Sequence, residues 1–120
     1  MSASTPGDIP QNVYYMRSAE TVDAPAALSV EKCYSYLSIT GTDAHTLAAP
    51  AFAGQFKHIS VIAVASTPVS TVTVTGMRVA TQNVFSGFGD FADALPKVLV
   101  LHSPDGVAWD IWTMLGVTVA

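Results

Sequence analysis

The chain has 120 residues, of which 50% are hydrophobic and only 12% are charged, against about 25% charged residues in an average soluble domain. This composition excludes intrinsic disorder, and the net charge of −4 argues against sequence-independent binding to nucleic acid. A single cysteine excludes an internal disulfide and zinc sites built from several cysteines.

The first dozen residues differ in composition from the remainder. Residues 1–12 hold Pro6, Gly7 and Pro10 among small polar side chains, which favours an extended N-terminal arm that is flexible or bound to a partner. Residues 13–120 are then predicted to form a single β-rich domain. No basic segment followed by an apolar one occurs near the N-terminus, so we predict no secretory signal and synthesis in a cytoplasm, where Cys33 stays reduced.

Strand-like patterns follow the predicted arm. Residues 13–17 and 27–39 are rich in Val, Leu, Ile and Tyr and predict two strands. Pro25 separates them, since proline removes a donor from a strand ladder. Residues 40–43 predict a turn by residue type, and residues 44–48 predict a short strand.

The most apolar segment comprises residues 55–65. Both faces of this segment are apolar after Ile59, which predicts a central strand covered on both sides. The stretch 59–76 carries no charge, yet Pro68 interrupts it and its second half alternates Thr and Val, so it predicts two strands and no membrane span. Strand 69–75 should bury its valine face and leave its threonine face exposed or paired across strands.

The C-terminal third gives the clearest local signal. Ser103-Pro104-Asp105-Gly106 lies between two apolar segments and predicts a hairpin, because Pro and Gly occupy positions that a tight turn favours. The predicted elements here are a bulge or bend at Gly76, strands at 77–85, 98–102, 107–115 and 117–119, and an irregular loop at 86–97 with room for one short helical turn at 90–95. Short strands at regular spacing without a helical period predict an all-β fold, namely an antiparallel β-sandwich or β-barrel that is jelly-roll-like, with the N-terminal arm extended.

The two tryptophans are predicted to have different roles. Strand alternation places Trp109 on one face with Val107 and Ile111, which predicts a tryptophan in the core. Trp112 falls on the opposite face beside Asp110, which predicts a position at a sheet edge or a subunit interface.

Chemically reactive side chains are few and scattered. His45, His58 and His102 show no metal-ligand spacing, although strands could still bring them together in space. Cys33 has no histidine near it in the sequence, and no Gly-x-Ser-x-Gly motif occurs. We therefore predict that the protein is not an enzyme and uses no metal and no cofactor.

A longer pattern resembles a passage found in many bacteriophage virion proteins. It consists of a threonine-leucine pair followed by small residues, proline and glycine at 44–55, an apolar strand at 56–64, and a Val/Thr strand at 69–75. Those proteins often close with a hairpin of the type Asp-Gly-x-x-Trp and a short Gly-Val ending, which here correspond to residues 105–109 and 116–117. The resemblance covers residues 44–119.

The resemblance implies a structural role without catalytic residues. Head decoration (cement) proteins, head fibres and tail-fibre modules share this pattern and are usually trimeric. Because this chain is short and has no fibre repeat, we expect a decoration protein that binds the major capsid protein on the outside of the head and stabilises the coat lattice. Its expected location is the capsid surface of the virion, after synthesis in the host cytoplasm. The alternative is a tail- or fibre-associated module that binds a carbohydrate or a receptor.

Assembly is also favoured by the composition. A small domain with so little charge exposes apolar surface, and such surface usually marks an interaction site. We therefore expect a homotrimer that also contacts the major capsid protein, with no nucleic acid and no membrane as partners. The predicted interface residues are Ile9, Val13, Tyr14, Tyr15, Phe88, Phe91 and Trp112.

Overall fold

In the computed structural model of the protein, residues 15–39, 43–64, 70–89 and 96–120 are described. Over these ranges ten β-strands form two five-stranded sheets. The first sheet contains, in spatial order, β1 (Ala19–Val22), β3 (Tyr34–Ile39), β5 (Gln55–Val64), β8 (Val98–Ser103) and β9 (Asp110–Leu115). The second sheet contains β10 (Thr118–Val119), β7 (Val84–Ser86), β6 (Thr71–Val74), β4 (Ala44–Leu47) and β2 (Ala27–Leu28).

The first six strands alternate between the two sheets. Within each sheet the neighbours from this part of the chain are parallel: β1 with β3, β3 with β5, β2 with β4, and β4 with β6. The remaining pairs, β5–β8, β8–β9, β6–β7 and β7–β10, are antiparallel. The fold is therefore all-β as predicted, but both sheets are mixed, and the expected antiparallel, jelly-roll-like arrangement is wrong. Two parallel strands need a long connection, because the chain has to return to the starting end of the sheet. Passing through a strand of the opposite sheet provides this length, whereas a tight hairpin joins only antiparallel strands.

Both sheets contribute to one hydrophobic core. Alternate residues of β3 and β6 are buried, as expected for strands with one face turned inward. The buried apolar side chains that form the core are Val22, Leu28, Leu37, Ile39, Leu47, Ile59, Val72, Val74, Met77, Phe85, Phe88, Leu99, Leu101, Trp109 and Val117. The two sheets are thus packed against each other in a sandwich-like arrangement.

Two predicted strands near the N-terminus are wrong. Residues 15–17 form a helical turn instead of the end of a strand, whereas residues 13 and 14, like the predicted arm at 1–12, lie outside the described residues. The predicted strand 27–39 is divided, because β2 belongs to the second sheet and β3 to the first. The residues between them turn the chain from one sheet to the other, a change that an apolar pattern does not reveal.

The predicted strand 77–85 is reduced to its last residues. Of the bulge or bend predicted at Gly76 the structure shows a bend: this residue adopts a φ of 81° within a turn, and further turns follow until β7 begins. Met77 makes an isolated parallel bridge with Trp109, so this segment packs against the closing hairpin instead of extending a sheet. The predicted loop residues 90–95 lie outside the described residues.

The closing hairpin is confirmed, with a longer loop than predicted. β8 and β9 pair antiparallel, and Trp109 is fully buried. Val107, predicted to share the buried face of Trp109, is 73% exposed instead. Residues 104–109 leave the strand geometry because the Asp105 carboxylate accepts hydrogen bonds from the amides of Val107 and Ala108, at 2.9 and 3.2 Å.

The position of β5 is confirmed, but its predicted coverage on both sides is wrong for the described residues. β5 is the middle strand of the first sheet, and its inner face carries buried Ile59. The register with β3 passes from Val61 to Ala63, so Ile62 has no partner residue and its side chain is exposed. A bulge of this kind re-aims side chains at the end of a strand.

Candidate binding site

Ring side chains from four adjacent strands lie on the outer side of the first sheet. Tyr34 and Tyr36 come from β3, and alternation in that strand turns the buried residues between them inward. Phe56 and His58 come from β5, His102 from β8 and Trp112 from β9. We call these six side chains the aromatic face.

Strand register brings these rings into contact. β3 pairs Tyr34 with His58, and their ring centroids are 4.7 Å apart. β5 pairs Phe56 with His102, whose rings are stacked at 4.2 Å, and the Trp112 ring meets the Phe56 ring edge-on at 5.3 Å. The sheet therefore holds the rings in two groups, in which Tyr34 contacts Tyr36 and His58, and Phe56 contacts His102 and Trp112.

Charged side chains are nearly absent from this side of the sheet. Among the described strand residues of the first sheet, Asp110 is the one charged residue whose register places it on the outer side, opposite His102. Its carboxylate accepts a hydrogen bond of 2.9 Å from Arg78, at the corner of the sheet. The aromatic face itself contains no Asp, Glu, Lys or Arg side chain.

A pocket of about 320 Å³ opens at one end of the aromatic face. Its wall combines Tyr34, Phe56 and His58 with residues from the helical turn at 15–17 and from two loops: Tyr15, Met16, Cys33, Phe52 and Gly54. Tyr15 and Phe52 pack edge to face with centroids 5.1 Å apart. The Tyr15 hydroxyl also donates a 2.6 Å hydrogen bond to the backbone carbonyl of Phe56.

Gln55 positions the loop that carries Phe52. Its side-chain oxygen accepts a hydrogen bond of 2.6 Å from the Ala51 amide, and its side-chain nitrogen donates one of 2.8 Å to the Val30 carbonyl. Because Gln55 is fully buried at the start of β5, these bonds tie the loop to the sheet. The pocket is thus built on a fixed framework.

A lysine is buried beneath this region. The Lys57 ammonium donates to the carbonyls of Ser29 and Lys32 at 2.8 and 2.7 Å, and to the Ser35 hydroxyl at 2.6 Å. Its nitrogen lies 3.8 Å from the Glu20 carboxylate. Burial lowers the pKa of Lys57 to about 8, against the opposing effect of Glu20.

Three titratable groups in the pocket wall, His58, Cys33 and Tyr15, have pKa values shifted in the direction that favours their neutral forms. Burial, together with the nearby charge of Lys57, lowers the pKa of His58 from its ordinary value of 6.5. Burial raises the pKa of the Cys33 thiol and that of the Tyr15 phenol. These shifts disfavour charge in the wall, and a neutral imidazole still offers one hydrogen-bond donor and one acceptor.

A second feature is the β9 edge of the first sheet, with which no other described strand pairs. β9 is its terminal strand, six residues long and without Lys or Pro. Trp112, Met114 and Leu115 along it are 62%, 40% and 42% exposed. The charge of Asp110 and a bulge at Trp112 protect the first part of this edge. Residues 113–115 carry no charge and no proline, and an apolar edge of this kind can pair with another chain.

The second sheet presents a different outer side. The threonines of β6 face outward while its valines are buried, and Thr73 pairs with Thr46 of β4. This confirms the predicted threonine face. Thr71 lies opposite Ser86, and Ser86 opposite Thr118, so the side is covered with hydroxyl groups.

The predicted interface residues occupy unlike positions. Tyr15 is buried against the pocket, Phe88 lies wholly inside the core, and Trp112 is exposed on the β9 edge. The other four, Ile9, Val13, Tyr14 and Phe91, lie outside the described residues.

The three histidines do not converge. His58 and His102 lie on the aromatic face, whereas His45 is buried in the second sheet, and neither of its ring nitrogens bonds to a described residue. Within the described ranges, no group of three or more His, Cys, Asp or Glu side chains is arranged to hold a metal ion.

The sequence did not predict the pocket lined by Tyr15, Tyr34, Phe52, Phe56 and His58, which we call the ring pocket, or the buried Lys57. The pocket joins residues up to 43 positions apart, from Tyr15 to His58, and no local pattern links them. Lys57 did carry a signal, because alternation in the central strand places it on the same face as Ile59.

Comparisons with known proteins give no family assignment. No protein-family model, no curated protein and no solved structure matches the chain. In the described part of the chain, no helix combines the length and apolar character needed to cross a bilayer.

Proposed function

We propose that the protein is a non-enzymatic structural protein of a bacteriophage virion, a decoration protein that binds the outside of the head and stabilises the coat lattice. The observation that supports this proposal is the β9 edge, where Trp112, Met114 and Leu115 are exposed along a strand that pairs with β8 on one side and with no described strand on the other. In this proposal the edge contacts other copies of the chain, in a homotrimer, and the major capsid protein.

The physical basis is the burial of apolar surface together with backbone pairing. The β9 edge offers main-chain donors and acceptors as well as three apolar side chains, so a partner strand or surface can satisfy both. A specific contact typically buries about 1,200–2,000 Å² in total. Bridging neighbouring coat subunits in this way adds interface that must break before the lattice opens.

The test uses sedimentation of the full chain and of two lysine variants. We expect the wild-type protein to sediment as a trimer and to co-sediment with empty capsids of its phage. Met114→Lys places a charge on the β9 edge and should abolish both, whereas Thr73→Lys, on the outer side of the second sheet, should leave both unchanged. A wild-type monomer at high micromolar concentration that does not co-sediment would refute the proposal.

A second candidate function is that of a carbohydrate- or receptor-binding module on a tail or fibre. The observation that favours it is the ring-lined pocket, since pockets for small ligands are mostly apolar with a few placed polar groups. The pocket does not include the β9 residues Trp112, Met114 and Leu115, so the two functions use different surfaces.

A further inference from the structure

The ring pocket has the size of a site for one small group. Its volume of about 320 Å³ lies at the lower end of the range for ligand pockets, about 300–1,000 Å³. It is continuous with the aromatic face through Tyr34 and Phe56, and Tyr36 stacks on Tyr34 at 6.0 Å. A ligand that places one ring in the pocket can therefore extend over Tyr36.

Electrostatics separates the possible ligand classes. A cationic ligand would find no carboxylate partner, since neither Asp nor Glu lines the pocket among the described residues. Burial and the nearby charge of Lys57 also lower the pKa of His58 in the pocket wall, which points to an environment that disfavours positive charge. An anionic ligand would lose hydration without gaining a partner, since neither Lys nor Arg lines the pocket and the Lys57 protons already bond to three oxygens. A neutral ligand remains.

The wall also defines the shape and polarity of that ligand. Tyr34, Phe56 and Phe52 offer ring surfaces, on which the C–H face of a sugar ring can lie. The Tyr34 hydroxyl and the neutral His58 imidazole can both donate and accept hydrogen bonds, as the hydroxyl groups of a sugar require.

We infer that this pocket binds one neutral pyranose ring of a glycan, whose chain continues along the aromatic face past Tyr36. The inference rests on the second candidate function and names its ligand class. His58 and Tyr34 bind the sugar hydroxyls, and Phe52 and Phe56 cover its apolar face.

Binding is tested with oligosaccharides of defined charge. The neutral probes are hexamers of α-1,4-glucose, β-1,4-glucose, β-1,4-mannose and β-1,4-N-acetylglucosamine; the charged probes are chitosan and polygalacturonate hexamers. By titration calorimetry we expect at least one neutral hexamer to bind with a Kd below about 1 mM, and neither charged hexamer to bind as tightly. Tyr34→Leu should weaken that binding at least about tenfold.

Two control variants separate glycan binding in the ring pocket from assembly through the β9 edge. Met114→Lys should lose assembly and keep glycan binding, and Thr73→Ala should keep both. A further test needs no variant. When the neutral hexamer is added to the wild-type protein, the NMR signals of the His58 ring should shift, while those of the buried His45 ring should not. Preferential binding of a charged hexamer would overturn the inference while leaving a glycan-binding function in place; absence of any binding, or unchanged binding in Tyr34→Leu, would overturn both.

Discussion

Truncation of Trp109 should remove a large part of the folding stability. The indole is fully buried in the core, and its nitrogen donates a 2.9 Å hydrogen bond to the Ala48 carbonyl. The backbone of the same residue bonds to Gly76 at 2.8 Å and to Arg78 at 3.0 Å, so the side chain sits where the 77–83 segment meets the hairpin. Replacing it leaves a cavity that this junction cannot close.

The size of the effect follows from burial. A fully buried tryptophan replaced by alanine typically costs about 3–5 kcal/mol, against a total stability of about 5–15 kcal/mol for a domain. With a urea m-value of about 2 kcal/mol per molar, the Trp109→Ala midpoint should fall by about 2 M. Trp109→Phe keeps most of the apolar contact and loses one hydrogen bond, so about 1–2 kcal/mol is expected.

The comparison variant is Trp112→Ala. Its side chain is 62% exposed and contacts only the rings of Phe56 and His102 among the aromatic pairs of the sheet, so we expect a loss of about 1 kcal/mol or less. Urea unfolding at two protein concentrations separates folding from assembly, because assembly makes the midpoint depend on concentration. Equal losses of folding stability in the two alanine variants, with assembly unchanged in Trp112→Ala, would refute this reasoning.

Three further predictions concern the loops and the buried polar groups. Gly106→Ala should lower the melting temperature more than Gly54→Ala, because both have positive φ but the new methyl at 106 would lie 2.6 Å from the Ala53 nitrogen, while position 54 is open. Lys57 should contribute stability that grows as pH rises from about 8 towards 10.5, since the unfolded chain binds its proton more tightly. The raised pKa values of Cys33 and Tyr15 act in the opposite direction, so the contribution is measured as the difference in unfolding free energy between the wild type and Lys57→Met, and a difference that does not grow with pH would contradict it. Cys33, buried and with a raised pKa, should react with a thiol reagent many-fold more slowly in the folded than in the urea-unfolded chain; equal rates would contradict its placement.

Local pattern was sufficient for elements whose evidence lies within a few residues. The Thr/Val alternation identified β6, and the Ser103-Pro104-Asp105-Gly106 turn identified the β8–β9 hairpin. Alternation over residues 107–115 correctly predicted that Trp109 is buried, but it wrongly predicted the same for Val107, which is exposed. Alternation predicts which residues share a face only while the strand stays regular.

Pairing between distant strands could not be predicted in this way. Parallel neighbours such as β3 and β5 are joined through a strand of the other sheet, and an apolar pattern carries no information on direction. β1 was missed because Ala-Glu-Thr-Val is short and contains a glutamate. That glutamate is retained inside the strand because its carboxylate accepts hydrogen bonds of 2.7 Å from both the Ser29 amide and the Ser35 hydroxyl.

The distribution of charge also determines from which side a partner can approach. Arg78, Asp105 and Asp110 form an exposed ion-pair group at the hairpin end, which adds little to folding stability because water screens it. A partner that covered this end would have to desolvate these charges, at a cost that only well-placed new partners could offset. Apart from Asp110 at its corner, the outer side of the first sheet carries no charged strand residue among those described, and residues 111–115 of the β9 edge carry none either, so these surfaces can be covered without that cost. Assembly and ligand binding are therefore expected at these surfaces, with the hairpin end left in water.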